Sequence, residues 1–177
     1  MHESRTANLL GAAALAIGDR LLRQAAAAAD TSTSGAAALI TLANSPGLGV
    51  TELGARIGLS QPAAARMIDG LSAAGLVERR PGSNGRSVAI WPTRRGRTAA
   101  HRALRAREEQ LAQAVDRLAP DEQAALMRAL ENMLYGLFDR PGSQHVLCRM
   151  CDRGACQGGG LPCPVGQASR DREAGDG

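Results

Sequence analysis

Four cysteines fall within sixteen residues near the C-terminus, Cys148-x2-Cys151-x4-Cys156-x6-Cys163, and no other part of the chain contains one. Thiolates are soft ligands, and four at this spacing suit a tetrahedral zinc ion or an iron–sulphur cluster. Reversible oxidation of free thiols is the third chemistry open to them. A cluster that starts with C-x2-C points to metal or redox chemistry rather than to structural disulfides. His145, three residues before Cys148, could replace one thiol as a ligand. Gly154, Gly158, Gly159 and Gly160 let a short loop fold back around a small centre. Cys163-Pro164 resembles the Cys-Pro that closes ferredoxin ligand runs, although the spacing before it does not match.

The second chemistry is cationic. Lysine is absent, so all 21 basic side chains are arginine, each capable of bidentate contact with phosphate or carboxylate. Residues 77–107 hold nine of them (79, 80, 86, 94, 95, 97, 102, 105 and 107) against Glu78 alone, a local charge of +8 in a chain whose total is +4. The remainder is therefore slightly acidic, and a basic block on such a background is the footprint of a polyanion binder. No phosphate-cradling loop, nucleophile elbow or paired-carboxylate pattern is present, and His2, His101 and His145 are far apart, so the chain does not read as an enzyme.

These groups need elements to position them. The chain has only three aromatic residues, Trp91, Tyr135 and Phe138, and is rich in Ala, Leu and Arg, which favours helix over sheet. Leu10, Ala14, Ile17 and Leu21 give a first helix one apolar face. A second helix is expected after a Ser34 cap, burying Ala38, Leu39 and Leu42, with Asn44-Ser45-Pro46-Gly47 as its stop. Thr51 is the expected cap of a short helix to Ile57. Gly58-Leu59 turns the chain, and Ser60 caps a fourth helix with Pro62 in its first turn and Ala64, Ile68 and Leu71 inward. Two short helices joined by a glycine-containing turn form a helix-turn-helix.

After Gly75 the period becomes that of a strand. Residues 76–80 and 86–91 alternate around a polar turn at 81–85, predicting a hairpin with Val88 and Ile90 on one face. Thr93 caps a helix to about Leu118, roughly 40 Å long, with a seam of Leu104, Leu111, Val115 and Leu118. Pro120-Asp121-Glu122 opens a last helix with seam Leu126, Leu130, Met133, Leu134 and Leu137.

The order of elements is that of a winged helix-turn-helix: mainly α with a small β-hairpin wing and flanking dimerisation helices. The fourth helix would present Gln61, Pro62, Ala63, Ala65, Arg66 and Asp69 outward. Gln61 and Arg66 can read base edges in the major groove, and Ala63 and Ala65 allow close approach and contact with thymine methyls. Arg79, Arg80 and Arg86 flank the wing, where they would meet the DNA backbone or minor groove. With Thr51 and Ser60 these make up the expected DNA-contact set.

The residues from Gly47-Leu48-Gly49-Val50-Thr51-Glu52-Leu53-Gly54 through Leu59-Ser60-Gln61-Pro62-Ala63-Ala64-Ala65-Arg66, and on through Ala74-Gly75-Leu76-Val77-Glu78-Arg79-Arg80, Gly85-Arg86-Ser87 and Thr93-Arg94-Arg95-Gly96, resemble the MarR family of bacterial transcriptional regulators. The resemblance covers about residues 8–138. It implies a homodimer built from the first and last two helices, a recognition helix in each major groove of a pseudo-palindromic operator, and an effector pocket between the dimer and DNA-binding lobes. Asn84 stands where the family's wing usually carries Asp, which puts in question the ion pair that stiffens its arginine. Trp91-Pro92 replaces the usual aliphatic run. The family says nothing about the cysteine tail.

Four regions follow: an N-terminal dimerisation helix (1–32), a winged helix-turn-helix lobe (33–92), long C-terminal dimerisation helices (93–140) and a Cys-rich tail with little helical periodicity (141–177). The apolar stretch 9–18 is too short for a membrane span of ~20 residues. Its periodicity continues past Asp19 and Arg20, as in an amphipathic helix rather than a signal peptide, so a cytoplasmic location is expected. The expected function is a dimeric DNA-binding regulator, a repressor released by a small ligand, a metal or a redox signal. The competing reading is a metalloprotein for electron transfer or metal handling, with the winged helix as a protein-docking scaffold.

Overall fold

Helices form where apolar residues recur at helical spacing, and glycine and proline punctuate them. The computed structural model describes residues 4–82 and 87–175. In chain order it contains α1 (Arg5–Ala29), α2 (Thr33–Asn44), α3 (Val50–Ile57), α4 (Gln61–Ala73), β1 (Val77–Pro81), β2 (Val88–Pro92), α5 (Arg94–Val115), α6 (Pro120–Leu137), α7 (Ser143–Leu147), α8 (Arg153–Cys156) and α9 (Pro164–Gly175), with a 3-10 turn at Gly158–Gly160.

The main core gathers on α2. Ala36, Ala38, Leu39 and Leu42 are fully buried and meet Leu53 of α3, Ile68 and Leu71 of α4, Ile90 of β2 and Ala99, Ala100 and Ala103 of α5. The cap of α2 is Ser32, not Ser34: its hydroxyl accepts the Gly35 N–H at 3.0 Å, so the helix starts two residues earlier than expected. The α3 helix likewise starts at Val50 behind Gly49, which leaves Thr51 exposed inside the first turn rather than at the cap. Thr93 does cap α5, accepting from the Gly96 N–H at 3.1 Å.

The wing pairs antiparallel, with Val77 opposite Pro92 and Pro81 opposite Val88. Ile90 is buried but Val88 is not, because Val88 lies beyond the core toward the tip; the shared face expected from alternation holds only at its inner end. Leu48 adds a further rung, its carbonyl accepting from Ile90 N at 2.8 Å while Gly47 N donates back to Ile90 O at 2.9 Å. The tip residues 83–86 lie outside the described residues, and Asn84 and Arg86 with them.

The long helix departs from its expected seam. Its buried stripe is Gly96, Ala99, Ala100 and Ala103, small residues that let α5 lie close on α1 and α2. Leu104, Leu111, Val115 and Leu118 are only half-buried. No residue of α6 is buried, and on α1 only Ala25 and Ala29 are. Both helices hold several larger apolar side chains out to solvent, with Leu15 at 72% and Leu137 at 57% exposure.

The tail is more ordered than its sequence suggests. The α9 helix packs on α6 through Val165 and Ala168 against Phe138. Tyr135 Oη donates to Asp171 at 2.9 Å, and the Arg172 guanidinium stacks over the Phe138 ring. Met150 joins the main core outright. The tail is thus fastened both to α6 and to the main core. Among the described residues, no helix is long and apolar enough to cross a membrane.

Candidate nucleic-acid interface and cysteine centre

The helix-turn-helix angle is set by small residues. A Cβ on Gly54 would stand 2.7 Å from the Ala64 Cβ, so α3 and α4 cross almost backbone to backbone. Gly58, at φ +77°, makes the left-handed turn between them. With Ala64, Ile68 and Leu71 buried, α4 presents Gln61, Pro62, Arg66 and Asp69 to solvent, preceded by the exposed cap Ser60. Ala63 and Ala65 are half-buried, flanking this surface rather than crowning it.

The wing arginines are less free than a count of charges implies. Arg79 is held by Asp69 of α4 at 2.6 Å, a bridge that ties the wing to the outward face of the helix-turn-helix. Arg80 donates through Nε to Glu78 at 2.8 Å and stacks on Trp91, 4.9 Å from the ring centroid. Sequence reasoning treated Asp69 as a member of the outward set and Glu78 as background. The Asp69 pairing follows from the approach of α4 to β1, which no local pattern announces, whereas Glu78 and Arg80 are neighbours on one face of β1. The basic block is also divided by the fold. Arg94, Arg95 and Arg102 line a cleft with Asp30 on α5's outer side, whereas Arg107 faces the cysteines.

All four cysteines are free thiols and half-buried. They form the partition between two cavities. One, about 320 Å³, is walled on its far side by Ile40, Thr41 and Asn44 of α2 and Arg56 of α3. The other, about 600 Å³, opens toward Leu21 and Leu22 of α1, Arg107 of α5 and Leu134 of α6. Neighbouring thiols perturb one another in sequence order along this partition. Hydrogen bonding with Cys151 holds the Cys148 thiol below its ordinary value and pushes Cys151 well above its own. Burial and the neighbouring thiols push Cys156 up to about 11. Gly166 N donates to Cys163 Sγ at 3.4 Å. Among the described residues, no group of three or more His, Cys, Asp or Glu side chains is close enough as placed to hold a metal ion. His145 lines the smaller cavity, where burial and then the Arg56 and Arg153 charges lower its pKa.

Residues 33–88 match the MarR family model. The fold is similar to that of Rv1404 from Mycobacterium tuberculosis, at 24% identity over 78% of this chain and 98% of that one, with a TM-score of 0.63. It is similar to wild-type MarR from E. coli, at 23% identity over 75% and 99% of the two chains, with a TM-score of 0.62. Rv2887, a Mycobacterium tuberculosis MarR family protein solved in complex with DNA, is 27% identical over 70% and 96%, with a TM-score of 0.54. A further structure of Rv2887 holds p-aminosalicylic acid. No curated protein matches the sequence.

Proposed function

We propose that this chain, whose residues 33–88 match the MarR family model, acts as a homodimeric repressor whose α4 helices read a pseudo-palindromic operator. The carrying observation is the α4 surface itself: an exposed Gln61, Pro62 and Arg66 on a helix held by a glycine-tight crossing, beside a wing of arginines. Arg66 has no carboxylate partner within the ion pairs of the described residues, unlike Arg79 and Arg80. It is therefore the arginine best placed for a bidentate base contact, while the wing supplies affinity through phosphate.

The second copy is inferred from apolar side chains on two helices that the described residues leave exposed. Leu9, Leu10, Leu15 and Ile17 of α1 and Met127, Leu130, Met133, Leu134 and Leu137 of α6 are exposed. A patch of this kind marks an interface rather than a solvated surface. Two winged-helix lobes fixed about one two-fold axis then set the spacing of the half-sites. The relative solved with p-aminosalicylic acid supports a small-molecule effector, and the cavity between α2, α3 and the tail is the space available for one.

The test is selection of genomic fragments bound by the full chain, followed by titration of the winning duplex against salt. Arg66→Ala is expected to relax the selected sequence at one position of each half-site and weaken binding by about 1–3 kcal/mol. Arg86→Ala is expected to weaken all duplexes alike and shallow the salt slope by about one unit. Equal affinity for selected and scrambled duplexes in the unsubstituted protein would reject the reading.

A further inference from the structure

We propose that Cys148, Cys151, Cys156 and Cys163 are the four ligands of one zinc ion, and that this ion locks the recognition lobe to the dimerisation helices. The metal site stands by itself; the locking role rests on the function proposed above.

The gathering of the four cysteines carries the first part. All four line one cavity of about 320 Å³ between α2, α3 and the tail, and all four line the cavity on its other side. Each is a half-buried free thiol. Four soft thiolates drawn from one short segment to one place are the donor set of a tetrahedral structural zinc site. An iron–sulphur cluster is the alternative that the experiment below separates from it.

The surroundings suit a dianionic centre. Zinc binding to four thiols releases four protons and leaves a net charge of −2. Arg107 from α5 and Arg153 from α8 both act on these sulfurs, supplying the matching charge. The Gly166 N–H, in the first turn of α9, donates to Cys163 Sγ. Between the ligands, Gly159 and Gly160 adopt φ values of +70° and +80°, so the chain reverses where the ligands must converge.

Position carries the second part. Cys148 ends α7, whose Val146 methyls lie beneath Gly58 at the turn between α3 and α4. Cys163 immediately precedes α9, which packs on α6. One ion bound by both therefore joins the turn of the helix-turn-helix to the helix carrying the exposed apolar face. Without it, α7 and α9 are linked by sixteen residues of short turns, and the recognition helices are freer to leave the half-site spacing.

The experiment uses the full chain, purified without oxygen, with zinc supplied and then removed by a chelator. The expected result is one zinc per chain, no visible absorption band, and four thiols that become reactive only after chelation. Cobalt substitution should give the absorption of a tetrahedral thiolate site. Cys156→Ser should reduce zinc to below a tenth of a mole per chain; if that variant does not fold, the chelated unsubstituted protein gives the same comparison. Iron with acid-labile sulfide, or four reactive thiols in the presence of zinc, overturns the site. Chelation is expected to weaken operator binding at least tenfold while binding to non-specific DNA stays unchanged. Zinc bound with no change in operator affinity overturns the lock and leaves the site. Failure to select any operator would instead count against the DNA-binding reading, since zinc content is measured independently.

Discussion

Gly96→Ala is expected to destabilise the fold by roughly 3 kcal/mol or more, among the largest effects of any single methyl in this chain. A Cβ at this position would lie 1.9 Å from the carbonyl oxygen of Leu76, with Leu39 Cδ2 at 3.4 Å on another side. That carbonyl is not free to move. It accepts from Thr93 N at 3.0 Å and from Thr93 Oγ1 at 3.2 Å, the bonds that fasten the start of α5 to the end of the helix-turn-helix. Adding the methyl must either break this joint or push α5 away from α2, and α2 is the centre of the core. A domain of this size has only 5–15 kcal/mol in hand. Chemical denaturation followed by circular dichroism measures the loss. Gly70→Ala is the control: it sits in α4, a Cβ there would meet nothing within 4 Å, and alanine is the better helix former by about 1 kcal/mol. Gly70→Ala should therefore leave the midpoint unchanged or raise it. A Gly96→Ala midpoint equal to that of the unsubstituted protein would show that α5 does not lie against Leu76 as described.

Leu130→Asp combined with Leu134→Asp is expected to dissociate the proposed dimer and reduce operator affinity by at least a hundredfold. Both leucines lie on α6, which has no buried residue within one chain, at 43% and 37% exposure. Covering a leucine is worth about 1.5–3 kcal/mol relative to leaving it exposed, and each occurs twice across a two-fold interface. Replacing it with a carboxylate adds the cost of burying an unpaired charge. Separate chains then bind half-sites one at a time and lose the 10²–10⁴-fold gain of joined binding. Sedimentation and operator titration on one sample check both halves. A double variant that sediments as a dimer and binds as tightly as the unsubstituted chain would place the interface elsewhere.

The two sets of residues differ in how they were legible. Ala64, Ile68 and Leu71 were readable as the inner face of α4 because helical periodicity and a Ser-x-Pro start are local signals. Thr93 and Pro120 were readable as helix starts for the same reason. The caps of α2 and α3 were misplaced, Ser32 for Ser34 and Gly49 for Thr51, because several capping residues lie within one turn and only packing chooses among them. The buried stripe of α5 was missed for a related cause. Periodicity gives weight to leucines, whereas close helix packing selects Gly96, Ala99, Ala100 and Ala103, whose small size is the point.

By itself, the sequence determined that this is a helical protein with a winged helix-turn-helix, an arginine-rich segment beside it and four thiols at metal-like spacing. Those features are encoded in residue type and in separations of a few positions, so they survive without coordinates. Only the tertiary structure decided which charges stay free and what the thiols face. Asp69 and Arg79 are ten residues apart and meet because α4 returns along β1. Arg107 lies more than forty residues before Cys151, yet it faces the thiols because the tail folds back across α5 and α6. Electrostatic partnership depends on distance in space, and that distance is set by core packing that brings remote segments together.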